Sequence, residues 1–187
     1  MRVLVISGSR NPEGQTARAA NALCQGVERA GGEVTGLVFL PEQKLERCRQ
    51  CENNGWGTCR SEGRCIINDD LPVLLDKIRQ ADAVAFATPV YFGDLSESMR
   101  GFLERVRRVA FNETGKMCLA GKPVVGLCVA GGRGLGAPGA AKSLERMLLT
   151  CGFDVLDVVP ARKQNLEMKL AVLETTGRWL AEQPIPA

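Results

Sequence analysis

Histidine does not occur anywhere in the 187 residues. Its absence removes the usual general base, the commonest zinc ligand and every Ser-His or Cys-His nucleophile pair. A catalytic chain of this kind has to take its hard chemistry from something other than its side chains, and a cofactor is the natural source. Aromatic residues make up only 5% of the chain, with a single tyrosine, Tyr91. No apolar run reaches the ~18 residues of a membrane-spanning helix. No basic segment, apolar core and cleavage site of a signal peptide opens the chain, so a cytoplasmic location is expected. The net charge of +3 is too small to argue for a nucleic-acid face, and neither nucleic acid nor membrane is expected as a partner. Arg105, Arg107 and Arg108 read as the solvated side of a helix.

What is present is ordinary in bulk and unusual in detail. Hydrophobic residues at 45% and charged residues at 24% are globular values, and the length fits one domain, 1–187, with a sizeable core. Eight cysteines are many for such a chain. In a reducing compartment they point to metal, cluster or redox chemistry rather than to structural disulfides.

The first stretch sets the pattern. Val3, Leu4, Val5 and Ile6 form an apolar run of a buried strand, followed by Ser7, Gly8, Ser9, Arg10, Asn11, Pro12, Glu13 and Gly14. A helix with Ala19, Leu23 and Val27 on one face follows over 16–30. This loop is neither G-x-G-x-x-G nor G-x-x-x-x-G-K-[ST], so neither a Rossmann dinucleotide site nor a P-loop is supported. It does aim N–H groups and a helix N-terminus at one point, which suits a phosphate.

Further apolar runs predict strands over 33–40, 83–87, 124–129 and near 155–159, with helices between them and a last one near 166–181. The pattern predicts an α/β fold: a doubly wound parallel sheet of five strands, taken in order 2-1-3-4-5, with helices on both faces. Asp69 and Asp70 offer a cap to the helix carrying Leu71, Leu74, Leu75 and Ile78, and Ser96 offers one to the helix carrying Met99, Phe102, Leu103 and Val106. Ligands of such sheets sit outside the carboxyl ends of the strands where the order reverses.

Three loops therefore converge on one crevice. The first brings Ser9, Arg10, Gln15 and Thr16 as anion donors. The second, after strand three, brings Pro89, Val90, Tyr91, Phe92 and Gly93, with aromatics suited to a flat ring. The third, after strand four, brings Ala130, Gly131, Gly132, Arg133 and Gly134, where backbone can approach a ligand without side chains. A phosphate, a planar ring and backbone amides together describe a pocket for flavin mononucleotide (FMN). Taken singly, each loop also has a plain structural reading as a connection, a core plug or a surface turn.

A polar connection over about 41–68 is longer than most and carries Cys48, Cys51, Cys59 and Cys65. Four thiolates this close can hold an iron-sulfur cluster or a tetrahedral zinc, or stay free as redox thiols. Cys24, Cys118, Cys128 and Cys151 fall on helix or strand patterns and read as small buried residues.

Gly8-Ser9 with Gly14-Gln15-Thr16, Asn68-Asp69-Asp70, Ala81-Asp82-Ala83 and Thr88-Pro89-Val90-Tyr91-Phe92-Gly93 resemble the NADPH-dependent FMN reductase family, with the iron-sulfur flavoprotein branch nearest in pattern. The resemblance implies a flavodoxin-like fold with FMN as cofactor, hydride or electron transfer from NAD(P)H or a protein electron donor, and a homodimer or homotetramer. It also implies that Ser9, Arg10, Gln15 and Thr16 hold the phosphate, that residues 89–93 flank the ring, and that Ala130 to Gly132 contact the ring or ribityl chain. In that branch four cysteines in this segment ligate a [4Fe-4S] cluster. Here Asn54 stands where the tighter family spacing has a third cysteine, and Cys59 comes from an added stretch, Gly55-Trp56-Gly57-Thr58. Other readings are an electron carrier without turnover, and a metal- or phosphate-ligand binding module.

Overall fold

The computed structural model describes residues 1–52, 54–116 and 119–184; Cys118 lies outside them. The strands are β1 (Arg2–Ser7), β2 (Glu33–Phe39), β3 (Ala83–Tyr91), β4 (Asp94–Leu95), β5 (Pro123–Ala130) and β6 (Asp154–Arg162). The helices are α1 (Gln15–Arg29), α2 (Thr58–Ser61), α3 (Leu71–Gln80), α4 (Glu97–Ala110), α5 (Glu113–Lys116), α6 (Ala137–Thr150) and α7 (Leu166–Glu182). The order across the sheet is β2-β1-β3-β5-β6, all parallel, with β4 paired antiparallel to the end of β3. This is the expected doubly wound order with one added two-residue strand.

The period-two pattern of the strands decides which helix goes where. Val3 and Val5 face one side, with Ala85 and Leu127, and meet Leu23, Val27 and Leu173 of α1 and α7. Leu4, Ile6 and Phe86 face the other side and meet α3, α4 and α6 through Leu74, Met99, Leu103 and Leu144. All eight residues of β5 are buried, as a strand covered on both faces requires. Gly26 and Gly177 bring α1 and α7 together: a Cβ on Gly26 would lie 2.0 Å from the Glu174 carbonyl oxygen, and one on Gly177 2.1 Å from that of Leu23.

Two expectations need correcting. Thr88 to Tyr91 do not form a loop. They extend β3, because β4 returns along them with Val90 opposite Leu95 and Tyr91 opposite Asp94. The turn between is Phe92-Gly93, both at positive φ (51° and 77°), as a two-residue type I′ hairpin requires. Arg105 is not on a solvated side: its side chain is 2% exposed and paired with Asp69, which is 0% exposed. The reason is geometry: Arg105 lies on the α4 face that the cysteine segment covers, so a charged residue at a core position meets a charged partner.

Candidate functional site

The carboxyl ends of β1, β3 and β5 are neighbours, with Ser7 opposite Ala87 and Ala87 opposite Leu127. The N–H of Gly8 donates to the Ala87 carbonyl at 2.8 Å, so the first loop leaves the sheet directly beside the point where β3 continues. Ser9 and Thr16 are buried beneath it and Arg10 is exposed. The Ser9 hydroxyl donates to the Asn11 carbonyl at 3.1 Å and stands 3.2 Å from the Asn11 N–H, which folds the loop back on itself. Asn11 Oδ1 accepts the Glu13 N–H at 2.9 Å. Arg18 is the first α1 residue whose N–H closes on a carbonyl, that of Gly14 at 2.9 Å. The earlier N–H groups of α1 have no intrahelical acceptor, Gly14 makes no side-chain cap, and no acid lies in the first turn. That donor set fits a phosphate.

The second contributor is the β3–β4 hairpin. Phe92 is fully exposed and Tyr91 half-exposed. A phenylalanine at φ 51° is held in a conformation that costs about 1–3 kcal/mol and clusters at ligand sites. The hairpin is pinned from below: the Ser96 N–H donates to Thr88 Oγ1 at 3.1 Å, and Thr88 Oγ1 lies 3.2 Å from Ser96 Oγ. Ser96 also caps α4 as expected, accepting the Met99 N–H at 3.3 Å. Ser98 donates to the Gly8 carbonyl at 3.0 Å, tying this corner to the first loop.

The third contributor follows β5. Gly131 and Gly132 have nothing within 4 Å of where a Cβ would sit, so this backbone borders open space. Gln164 holds it by donating to the Gly132 carbonyl at 2.6 Å. Gly136 touches the hairpin, since a Cβ there would meet Gly93 Cα at 2.5 Å. All three predicted loops thus lie along one edge. Thr88, Ser96 and Ser98, which tie the hairpin to the first loop, were missed by the sequence reading; the one available signal was the Ser96 cap position.

The four predicted cysteines also come together. Cys48, Cys51, Cys59 and Cys65 line one small pocket with Gly55, Gly57, Thr58, Ile66, Ile67, Val109, Arg105 and Arg108. Arg105 donates to Cys65 Sγ at 3.3 Å, to Asp69 and to the Glu46 carbonyl at 3.0 Å. Burial alone raises the Asp69 carboxyl, but hydrogen bonds from Arg105 and from the N–H groups of Glu46 and Leu71 outweigh it and hold it below the ordinary value. Asp70 sits at the N-cap position of α3 yet makes no side-chain cap there; its carboxylate instead accepts the Lys44 N–H at 2.7 Å. The double aspartate therefore staples the start of the cysteine segment as well as the helix. Among the described residues no three candidate ligands stand close enough to share one metal ion.

The other described cysteines differ in kind. Burial pushes the thiols of Cys128 and Cys151 up to about 12, and that of half-buried Cys24 up to about 11, so they stay protonated and inert.

Residues 1–167 match the family described as NADPH-dependent FMN reductase. The chain belongs to that family. An iron-sulfur flavoprotein of Methanocaldococcus jannaschii is 33% identical over 135 residues, which span 71% of this chain and 66% of that relative. An iron-sulfur flavoprotein of Methanosarcina thermophila is 29% identical over 159 residues, 83% of this chain and 77% of the relative. Among solved structures, the NAD(P)H:quinone oxidoreductase from Methanothermobacter marburgensis superposes with a TM-score of 0.70 at 21% identity, covering 100% of this chain and 99% of that one. The last likeness is one of fold, and the flavodoxin-like architecture is the family's. The chain thus spans just under two thirds of the first of these relatives.

Proposed function

We propose that the protein, read as one domain, holds FMN across the carboxyl edge of β1, β3 and β5 and passes electrons from NAD(P)H, or from a protein donor, through it to an acceptor. Ser9, Arg10, Gln15 and Thr16 bind the phosphate, with the free N–H groups at the start of α1. Pro89, Val90, Tyr91, Phe92 and Gly93 flank the ring, and Ala130, Gly131 and Gly132 lie against the ring edge or ribityl chain. The flavin supplies the redox chemistry that a histidine-free chain lacks. The protein binds, orients and screens it.

The observation that carries this reading is the hairpin turn. A fully exposed phenylalanine tops a hairpin that touches the β5–α6 connection at Gly136, on the same sheet edge as a donor-rich helix start, which fits a flat, phosphorylated ligand. The test is anaerobic addition of FMN to the purified chain, then NADH or NADPH. Retained flavin whose visible absorption is lost on adding either nucleotide supports it; a chain that retains no flavin contradicts it.

A second reading concerns Cys48, Cys51, Cys59 and Cys65, as ligands of a [4Fe-4S] cluster. The donor set fits. Four cysteines share one pocket, and Arg105 and Arg108 stand in its wall, with Arg105 donating to Cys65 Sγ at 3.3 Å, the kind of hydrogen bond to sulfur that tunes a cluster. Iron and acid-labile sulfide in an anaerobic preparation support the cluster; zinc alone contradicts it.

The proposal extends to a homodimer or homotetramer in the cytoplasm. Exposed Met168, Val172 and Trp179 on α7 support an assembly, and seven unpaired cysteines among the described residues support a reducing compartment. No helix among those residues is long and apolar enough to cross a membrane.

A further inference from the structure

The stretch that separates Cys59 from the Cys48 and Cys51 pair is gripped by α4 and its C-terminal end. The Trp56 ring lies 4.8 Å from that of Phe111. Three guanidinium groups surround the same indole: Arg60 at 5.7 Å, Arg107 at 5.7 Å and Arg108 at 5.2 Å. Arg60 also lies 5.4 Å from Phe111. All are within the ~6 Å over which a cation is attracted to a ring face. Backbone contacts close the grip at both ends, because Arg108 donates to the Gly55 carbonyl and Asn112 Nδ2 donates to that of Arg60 at 2.9 Å.

The same stretch presses on the sulfur pocket. A Cβ on Gly57 would lie 3.0 Å from the Cβ of Cys51 and 3.7 Å from its sulfur, so the backbone leading to Cys59 runs against Cys51. Gly55 is at φ 75°. Between these two glycines Trp56 is the only side chain, and glycine-flanked backbone is costly to order. Its anchor is therefore the feature that holds the stretch folded back. Arg108 belongs to both sides: it faces the indole, and it lines the cysteine pocket with a buried, unpartnered Nε.

We propose that Trp56, gripped by Phe111, Arg60, Arg107 and Arg108, is the positioning residue that delivers Cys59 to the pocket shared with Cys48, Cys51 and Cys65. This rests on the reading of those four cysteines as cluster ligands. It explains how a chain with asparagine at position 54 can still assemble four thiolates: the stretch after it is docked on α4 instead of hanging free.

The experiment is anaerobic reconstitution of the full FMN-loaded chain with iron and sulfide, for the unaltered sequence and for Trp56→Ala, Trp56→Phe and Cys59→Ser. Iron and sulfide per chain, the rate of iron loss to a chelator, flavin content and thermal melting are read in parallel. The expected result is that Trp56→Ala loses iron at least about tenfold faster than the unaltered chain, since several ring contacts vanish together. It should resemble Cys59→Ser, with flavin content unchanged, while Trp56→Phe keeps an aromatic face and stays near the unaltered chain. Trp56→Ala that holds iron as well as the unaltered chain overturns the inference, as does loss of iron only in step with loss of flavin and fold. An unaltered chain that takes up neither iron nor sulfide overturns the cluster reading itself, and this inference with it.

Discussion

In the sheet, β5 buries eight residues with no charged group among them, whereas the described residues of 43–70 carry charged contacts at several anchor points. Arg105 is buried against Asp69, Arg108 holds the Gly55 carbonyl, and Asp69 and Asp70 accept the N–H groups of Glu46 and Lys44. The sheet is stabilised by apolar area removed from water, which is non-directional and tolerant of small changes. The cysteine segment depends on a few directional contacts, and at the Arg105–Asp69 pair removing one partner leaves a buried charge stranded. One region scaffolds the crevice, and the other keeps four thiols gathered against one face of α4.

The largest expected effect breaks that second region at its centre. Arg105→Ala leaves the Asp69 carboxylate buried without its cation and should destabilise by about 3–5 kcal/mol, as loss of one partner of a buried pair does. Urea unfolding measures it, and hydrogen exchange should show the loss concentrated in residues 43–70. A uniform loss across the sheet would erase the contrast. Next comes Gly136→Ala, whose methyl would meet Gly93 and Val90. Overpacking of this kind costs about 1–3 kcal/mol, and the hairpin must shift, so weaker FMN binding should accompany lower stability. Binding unchanged from the parent would show that the hairpin does not border the flavin.

How far the sequence reveals these two regions follows from the same physics. Alternating and continuous apolar runs make β1, β3 and β5 readable, and with them the strand order and the edge where the loops meet. The Ser96 cap is readable because one side chain satisfies a neighbour three residues on. The hairpin after Thr88 is harder, since Pro89 and Gly93 look like loop punctuation and the pairing with Asp94 and Leu95 is set by the turn. Arg105 is illegible locally: its helical neighbours Arg107 and Arg108 suggest a solvated face, and the partner that buries it lies 36 residues away. Trp56 belongs with it, because its meaning depends on what α4 brings to meet it.

A smaller effect sharpens the helix side of the crevice. Ser96→Ala removes the cap on α4 and should cost about 1 kcal/mol, read from thermal melting, while Thr88 loses the Ser96 hydroxyl but keeps the N–H of residue 96. A neutral result would mean that Thr88 alone holds this corner.

The smallest concerns acid stability at the opposite end of the sheet. Partial burial raises the Asp82 carboxyl, but hydrogen bonds from the Arg2 side chain and N–H outweigh it and leave it below its ordinary value. A carboxyl lowered on folding adds stability above its unfolded value, near pH ~4, and loses it as pH falls through the lower folded value. Asp82→Asn should therefore be less stable than the parent near neutrality by under about 1 kcal/mol. The gap should close on acidification, and a gap that widened at low pH would reverse the assignment.

The most direct measurement compares FMN with riboflavin, which lacks the phosphate, by equilibrium titration of the flavin-free chain. If the start of α1 holds a phosphate and the hairpin and glycine backbone hold the ring, FMN should bind at least about tenfold more tightly, from charge-assisted hydrogen bonds to the N–H groups. Thr16→Val should narrow that preference while leaving riboflavin binding nearly unchanged. Equal affinity for the two flavins would contradict a phosphate site at the first loop, and binding of neither would contradict the crevice as a flavin site.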